Sequence, residues 1–132
     1  IETTGALERI RIPKMTLQPI VENAIVHGLS DDFSSDKKGE LLIRCSGLTN
    51  FVHIEVHDNG HGMNEARLAE VRAALCEDFS DGNVSSCFAL RNVSSRLKLY
   101  YHGQCSLQVL SQLHVGTTFI IDIFLPPEGL HV

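Results

Sequence analysis

Segments with a two-residue apolar period alternate along this chain with segments whose apolar residues recur every three or four positions. That order restricts the fold more than any other feature. The strand-like runs are "LLIRC" (41–45), "FVHIEVH" (51–57), "CSLQVLS" (105–111) and "TTFIIDIFLP" (117–126). A turn through Gly47 and Asn50 joins the first two, and a turn near Gly116 joins the last two. An edge strand is expected at residues 6–12, "ALERIRI", closed by Pro13. The segment "TLQPIVENAIVHG" carries Leu17, Ile20, Val21, Ala24 and Ile25 at helical spacing, with Pro19 acceptable in a first turn and Gly28 as the stop. Asn64 is placed to cap a second helix with Leu68, Val71 and Leu75 inward, and a third carries Leu90, Val93, Leu97 and Tyr100. "LSDDFSSDKKGE" and "FSDGNVSSC" read as polar loops. The expected architecture is α/β: a two-layer sandwich whose mixed β-sheet is covered on one face by about three helices.

At 132 residues the chain is long enough for one domain, residues 1–132, and not for two. A formal net charge of −5 argues against non-specific nucleic-acid binding, which needs a basic face. An anionic ligand is not excluded, since backbone donors and a metal ion can hold it. Cys45, Cys76, Cys87 and Cys105 are scattered without a CxxC pair, so reduced thiols are expected rather than a zinc site or a disulfide framework. No apolar run approaches the roughly 20 residues of a membrane span, and no signal peptide is evident. The opening "IETTGALERIRIP" reads as a cut from a longer chain.

Three short stretches carry chemistry. On the first helix Asn23 and His27 lie one turn apart beside the apolar stripe, with Gln18 and Glu22 along its other edge. Asn23 has an amide oxygen to offer a hard cation such as Mg²⁺, and His27 a donor for a phosphate. A solvated helix face is the alternative. In "VHDNGHGM" (56–63), Asp58 ends a strand and can accept from an exocyclic amine. Gly60 and Gly62 remove the Cβ atoms that would keep a flat ligand away, and Met63 offers a soft apolar surface. A turn followed by a helix cap reads equally well there. In "VGTTFIIDI", Gly116 and Thr117 open a strand, where a hydroxyl can assist at a base edge.

The order of these stretches, "ENAIVHG", "DNGHGM", "LRNVSSRL" and "GTTF", resembles the GHKL ATP-binding fold over essentially the whole chain. Within it, "LQPIVENAIVHG" resembles the N box of LytS/YesM-like sensor histidine kinases. The resemblance implies an ATP-binding domain whose cofactors are ATP and Mg²⁺, with Asn23 as the Mg²⁺ ligand and His27 as a phosphate contact. It implies Asp58 as the reader of the adenine amino group, Gly60, Gly62 and Met63 as the adenine wall, and Thr117 behind the base. Leu90 and Asn92, in "LRNVSSRL", fall at the start of the helix facing the phosphates. It further implies a parent two-component kinase: a membrane-anchored homodimer with this domain on the cytoplasmic side, an upstream dimerisation and phosphoacceptor domain, and a response regulator as partner. The acceptor histidine is expected upstream, since none of His27, His53, His57, His61, His102, His114 and His131 sits in a PHFLFN-like context. No catalytic residue is therefore assigned in this chain, which is expected to bind ATP without phosphorylating itself. His53 and His57 alternate on one strand face around Glu55, and are read as surface residues rather than metal ligands. His61 is read as a pocket-rim residue.

One loop departs from the pattern. The family writes GxGLxN where this chain has "SSCFALRN", so Cys87 and Ala89 stand in place of glycines and Phe88 competes for the space of the nucleotide. Two readings stay open at this stage: a kinase domain with a looser lid, or a degenerate, non-catalytic regulatory module of the same fold. Gyrase-like ATPases and anti-sigma serine kinases carry a glutamate four residues before the N-box asparagine, where this chain has Pro19. Glu22 receives no water-activating role.

Overall fold

The computed structural model describes residues 1–5, 7, 10–29, 38–76 and 87–126. Its five strands are β1 (Glu2–Gly5), β2 (Leu41–Leu48), β3 (Phe51–Asp58), β4 (Cys105–Gln112) and β5 (Gly116–Phe124). They form one sheet in the order β1-β2-β3-β5-β4. β1 pairs with β2 in parallel and the other neighbours pair antiparallel, so the sheet is mixed as expected. The helices are α1 (Leu17–Asn23), α2 (Glu65–Cys76) and α3 (Phe88–Tyr100), with α1 continued by a π-helical turn at Ala24–Gly28.

The period-two pattern determines which face of the sheet is covered. Val52, Ile54 and Val56 of β3, and Phe119, Ile121 and Ile123 of β5, are all buried in the core with Ile20, Val71, Leu75, Leu90, Val93 and Leu97 from the helices. Each such side chain contributes on the order of 1.5–3 kcal/mol when removed from water, and together they hold the helical layer to the central strands. The opposite face carries His53, Glu55 and Asp122, with His53 in contact with both carboxylates.

Local sequence accounts for most element ends. Asn64 Oδ1 accepts the Arg67 amide at 2.8 Å, which caps α2 as expected. The β2–β3 turn is the pair Thr49–Asn50, while Gly47 lies inside β2 opposite Val52. Three expectations are corrected. The edge strand is Glu2–Gly5, not residues 6–12. Residues 6, 8 and 9 lie outside the described set, but Leu7 and Ile10 turn inward, with the Ile10 amide donating to the Leu7 carbonyl at 3.1 Å. Both lean over Gly47, whose missing Cβ leaves room for Leu7 Cδ2. The inward tyrosine at the end of α3 is Tyr101, 8 % exposed, rather than Tyr100. It follows Leu97 by four residues and therefore shares its face, and its hydroxyl donates to the Arg11 carbonyl at 2.6 Å. Ile25, expected in the buried stripe, is exposed. Beyond Asn23 the chain no longer follows the 3.6-residue turn on which that stripe was drawn. The loop at 30–37 and most of that at 79–87 lie outside the described residues.

Candidate functional site

Asp58 is the last residue of β3 and pairs with Thr117, the second residue of β5. Both are buried, Asp58 at 3 % exposure. Its Oδ1 accepts the Gly60 amide at 2.9 Å. Burial pushes the Asp58 carboxyl above the ordinary carboxylate range, although the amides of Gly60 and Thr117 and the nearby His57 and His61 pull the other way. A carboxylate held at that cost, at a strand end, is a poised acceptor.

The loop after Asp58 is clasped by the β4–β5 hairpin. Gly62 takes φ +66, and a Cβ there would collide with the Gln112 carbonyl oxygen. Gly116 takes φ +148, and a Cβ there would run into the Asp58 carbonyl oxygen. The clearance expected of Gly62 for a flat ligand is thus used, in this structure, by the hairpin backbone. The His114 amide donates to the His61 carbonyl at 2.6 Å. Ser111 Oγ accepts the Met63 amide at 2.8 Å, donates to the Gly116 carbonyl at 3.0 Å, and lies 2.9 Å from Thr117 Oγ1.

On the helical side, Asn23 ends α1 and the π turn follows. The Leu29 amide donates to the Ala24 carbonyl at 2.8 Å, a five-residue step in place of the α-helical four. The wider turn still brings His27 to the side of Asn23. The Gln18–Glu22 line does not reach the cleft: Gln18 Nε2 donates to Glu22 Oε1 at 2.9 Å on the exposed side of the helix.

These pieces enclose a cleft of about 230 Å³. Asn23 and His27 line it from the helix, Asp58 and Thr117 from the sheet, Gly62 and Met63 from the loop, and Arg67 from the first turn of α2. The volume falls below the roughly 300–1,000 Å³ of pockets that enclose a whole drug-sized ligand. It suits a ring and its nearest substituents. Gly60 is buried and acts through its bond to Asp58. Leu90 is 3 % exposed and belongs to the core, and Asn92 is half-buried on α3; neither lines this cleft. Sequence reasoning passed over Arg67 and Ser111. Arg67 carried a weak signal, a cation three residues after a cap; Ser111 carried none until the β4–β5 register placed it opposite Thr117.

Cys87 takes φ −101, and Ala89 lies within helix α3, so neither position demands the left-handed conformation that glycine permits. Phe88 is 53 % exposed and does not line the cleft. Among the described residues no cluster of three or more His, Cys, Asp or Glu is arranged to hold a metal. A single half-buried amide such as Asn23 still suits Mg²⁺, which takes oxygen ligands and retains waters or phosphate oxygens for the rest of its shell.

Comparison with known proteins bears on what such a cleft belongs to. The chain is 33% identical over 132 residues to the sensor protein kinase HptS of Staphylococcus aureus, covering 100% of this chain and 24% of that protein. It is 32% identical over 123 residues to a sensor-like histidine kinase of Staphylococcus epidermidis that is otherwise uncharacterized, covering 93% of this chain and 22% of that protein. It thus spans less than a quarter of the length of these relatives. The catalytic domain of histidine kinase ThkA superposes with a TM-score of 0.60 at 17% identity, over 96% of this chain and 78% of that one, which shows the shared fold. The family described as histidine kinase-, DNA gyrase B-, and HSP90-like ATPase matches residues 9–128, nearly the whole chain and every residue of the cleft, so this chain belongs to that ATPase family.

Proposed function

We propose that this chain is the ATP-binding domain of a sensor histidine kinase, holding Mg²⁺–ATP so that its γ-phosphoryl group reaches a histidine outside the chain. One observation carries the reading. Asn23, Asp58 and Thr117, from three separate elements, line a single cleft. Asp58 accepts from the base amine, Met63 supports the ring face, Asn23 holds the metal, and His27 donates to phosphate oxygen. The bound metal would neutralise charge on the phosphates. The chain's own groups orient and desolvate, which is most of what phosphoryl transfer asks of a protein. The parent protein is then a membrane-anchored homodimer with a response regulator as substrate, its phosphoacceptor domain lying upstream of this one. The family match and the outward position of Phe88 favour this over a degenerate regulatory module.

Thermal unfolding with increasing Mg²⁺–ATP tests the proposal. A ligand at 100 times its Kd adds about 2.7 kcal/mol to stability, and the midpoint should keep rising with concentration. The domain alone should incorporate no phosphate. No midpoint shift at millimolar Mg²⁺–ATP would sink the proposal.

A further inference from the structure

Ser111 lies outside the cleft, yet its hydrogen bonds determine what the cleft can recognise. A serine hydroxyl has one proton to donate and two lone pairs to accept with. The carbonyl of Gly116, 3.0 Å away, can only accept, so it takes the Ser111 proton. The amide of Met63, 2.8 Å away, can only donate, so it takes one lone pair. One lone pair is left for the contact with Thr117 Oγ1 at 2.9 Å, and Thr117 must therefore be the donor in it. With its proton committed to Ser111, Thr117 can offer the cleft nothing but lone pairs.

We infer that Ser111 is a specificity-determining, positioning residue that fixes the Thr117 hydroxyl as an acceptor, so that the base end of the cleft selects an amino-bearing purine edge and rejects a carbonyl-bearing one. This deepens the ATP-binding reading and rests on it. Asp58 Oδ1 already accepts the Gly60 amide, and Asp58 lines the same cleft as an acceptor. Two acceptors suit the two N–H groups of an exocyclic amine. A carbonyl at the same ring position meets lone pairs on both sides, with no side-chain donor supplied by either residue. Were Ser111 absent, the Thr117 hydroxyl would regain its rotation and could donate to that carbonyl. Ser111 thus acts at one remove, through the cross-strand pair Ser111–Thr117.

Inosine triphosphate probes the effect, since it replaces the adenine amine by a carbonyl, with N1 now bearing a proton, and leaves the phosphates unchanged. Calorimetric titration of the chain with Mg²⁺–ATP and Mg²⁺–inosine triphosphate gives the affinity ratio of the two. The wild type should favour ATP, and Ser111→Ala should narrow the ratio by about tenfold, the scale of one hydrogen bond. Ser111→Thr, which keeps the hydroxyl, should retain the wild-type ratio. Ser111→Cys has nearly the same outline and hydrogen-bonds poorly, so it reads the same ratio if Ser111→Ala does not fold. In a Thr117→Val background, Ser111→Ala should leave the ratio where it is. A merely structural serine would weaken both nucleotides by one factor; a ratio unmoved by Ser111→Ala, or moved again without the Thr117 hydroxyl, overturns the relay while leaving ATP binding standing. A wild type that binds neither nucleotide overturns both.

Discussion

Asp58 is pulled two ways, since burial favours its neutral form while the amides of Gly60 and Thr117 favour the ionised one. Its folded-state pKa is raised, so the folded chain takes up this proton more readily than the unfolded chain. By linkage, the contribution of Asp58 to stability grows as pH falls through its folded-state value and is smallest above it. Ligand binding follows the opposite sign. The ionised acceptor is wanted there, so affinity for ATP should begin to fall, on acidification, at a higher pH than an ordinary carboxylate near 4 would give. Asp58→Asn keeps an oxygen for the Gly60 amide but puts a donor into the cleft. Affinity should drop roughly 10- to 100-fold, as for loss of a hydrogen bond to a charged group, and the acid limb of the binding profile should disappear. Titrating wild type and variant between acid and neutral pH checks both; an acid limb that survives in Asp58→Asn would reassign it to another group.

At the scale of elements, the loop 59–64 and the β4–β5 hairpin act as one body, because Gly62 and Gly116 let backbone meet backbone without intervening Cβ atoms. Gly62→Ala adds a collision with the Gln112 carbonyl to a left-handed φ that costs on the order of 1–3 kcal/mol by itself. We expect that variant to lower the denaturant midpoint and to lose ATP affinity in step; affinity retained at wild-type strength would mean the loop does not need the hairpin. This is also where sequence reasoning met its limit. Asn23, Asp58 and Thr117 were legible only through the order of their stretches along the chain, since each stretch alone reads as ordinary structure, and the central strands were legible because period two survives wherever one sheet face is buried. Ser111 was not, since its role exists only through cross-strand register. Nor was Glu2–Gly5, because two exposed threonines between polar and glycine neighbours give no apolar alternation; the alternating "ALERIRI" competed for that strand and lost when Leu7 and Ile10 packed over Gly47. The π turn was invisible for a similar reason, as its hydrogen-bond step is one residue longer than the period used to find it.

Across the molecule, charges form a chain over the open face of the sheet. Glu2 of β1 meets Arg44 of β2 at 2.9 Å, Arg44 meets Glu55 of β3 at 3.4 Å, Glu55 meets His53 at 3.1 Å, and His53 meets Asp122 of β5 at 2.6 Å. The carboxylates of Asp122 and Glu55 raise the His53 pKa. A raised imidazole stabilises the fold fully below its unfolded value near 6.5 and loses that contribution as pH rises through the folded one. The thermal midpoint should therefore decline as pH rises from about 6.5, and His53→Gln should flatten that slope; an unchanged slope would place the titration elsewhere. The β3–β5 pairing has another consequence. It joins residues 51–58 to residues 117–124, and the cleft needs both ends of that pair. A chain emerging from the ribosome can build α1, the β2–β3 hairpin and α2 early, from local contacts, but the cleft is incomplete until residue 117 is free to pair. Under the proposed function, competence to bind nucleotide thus arrives in one late step, after a long loop has closed.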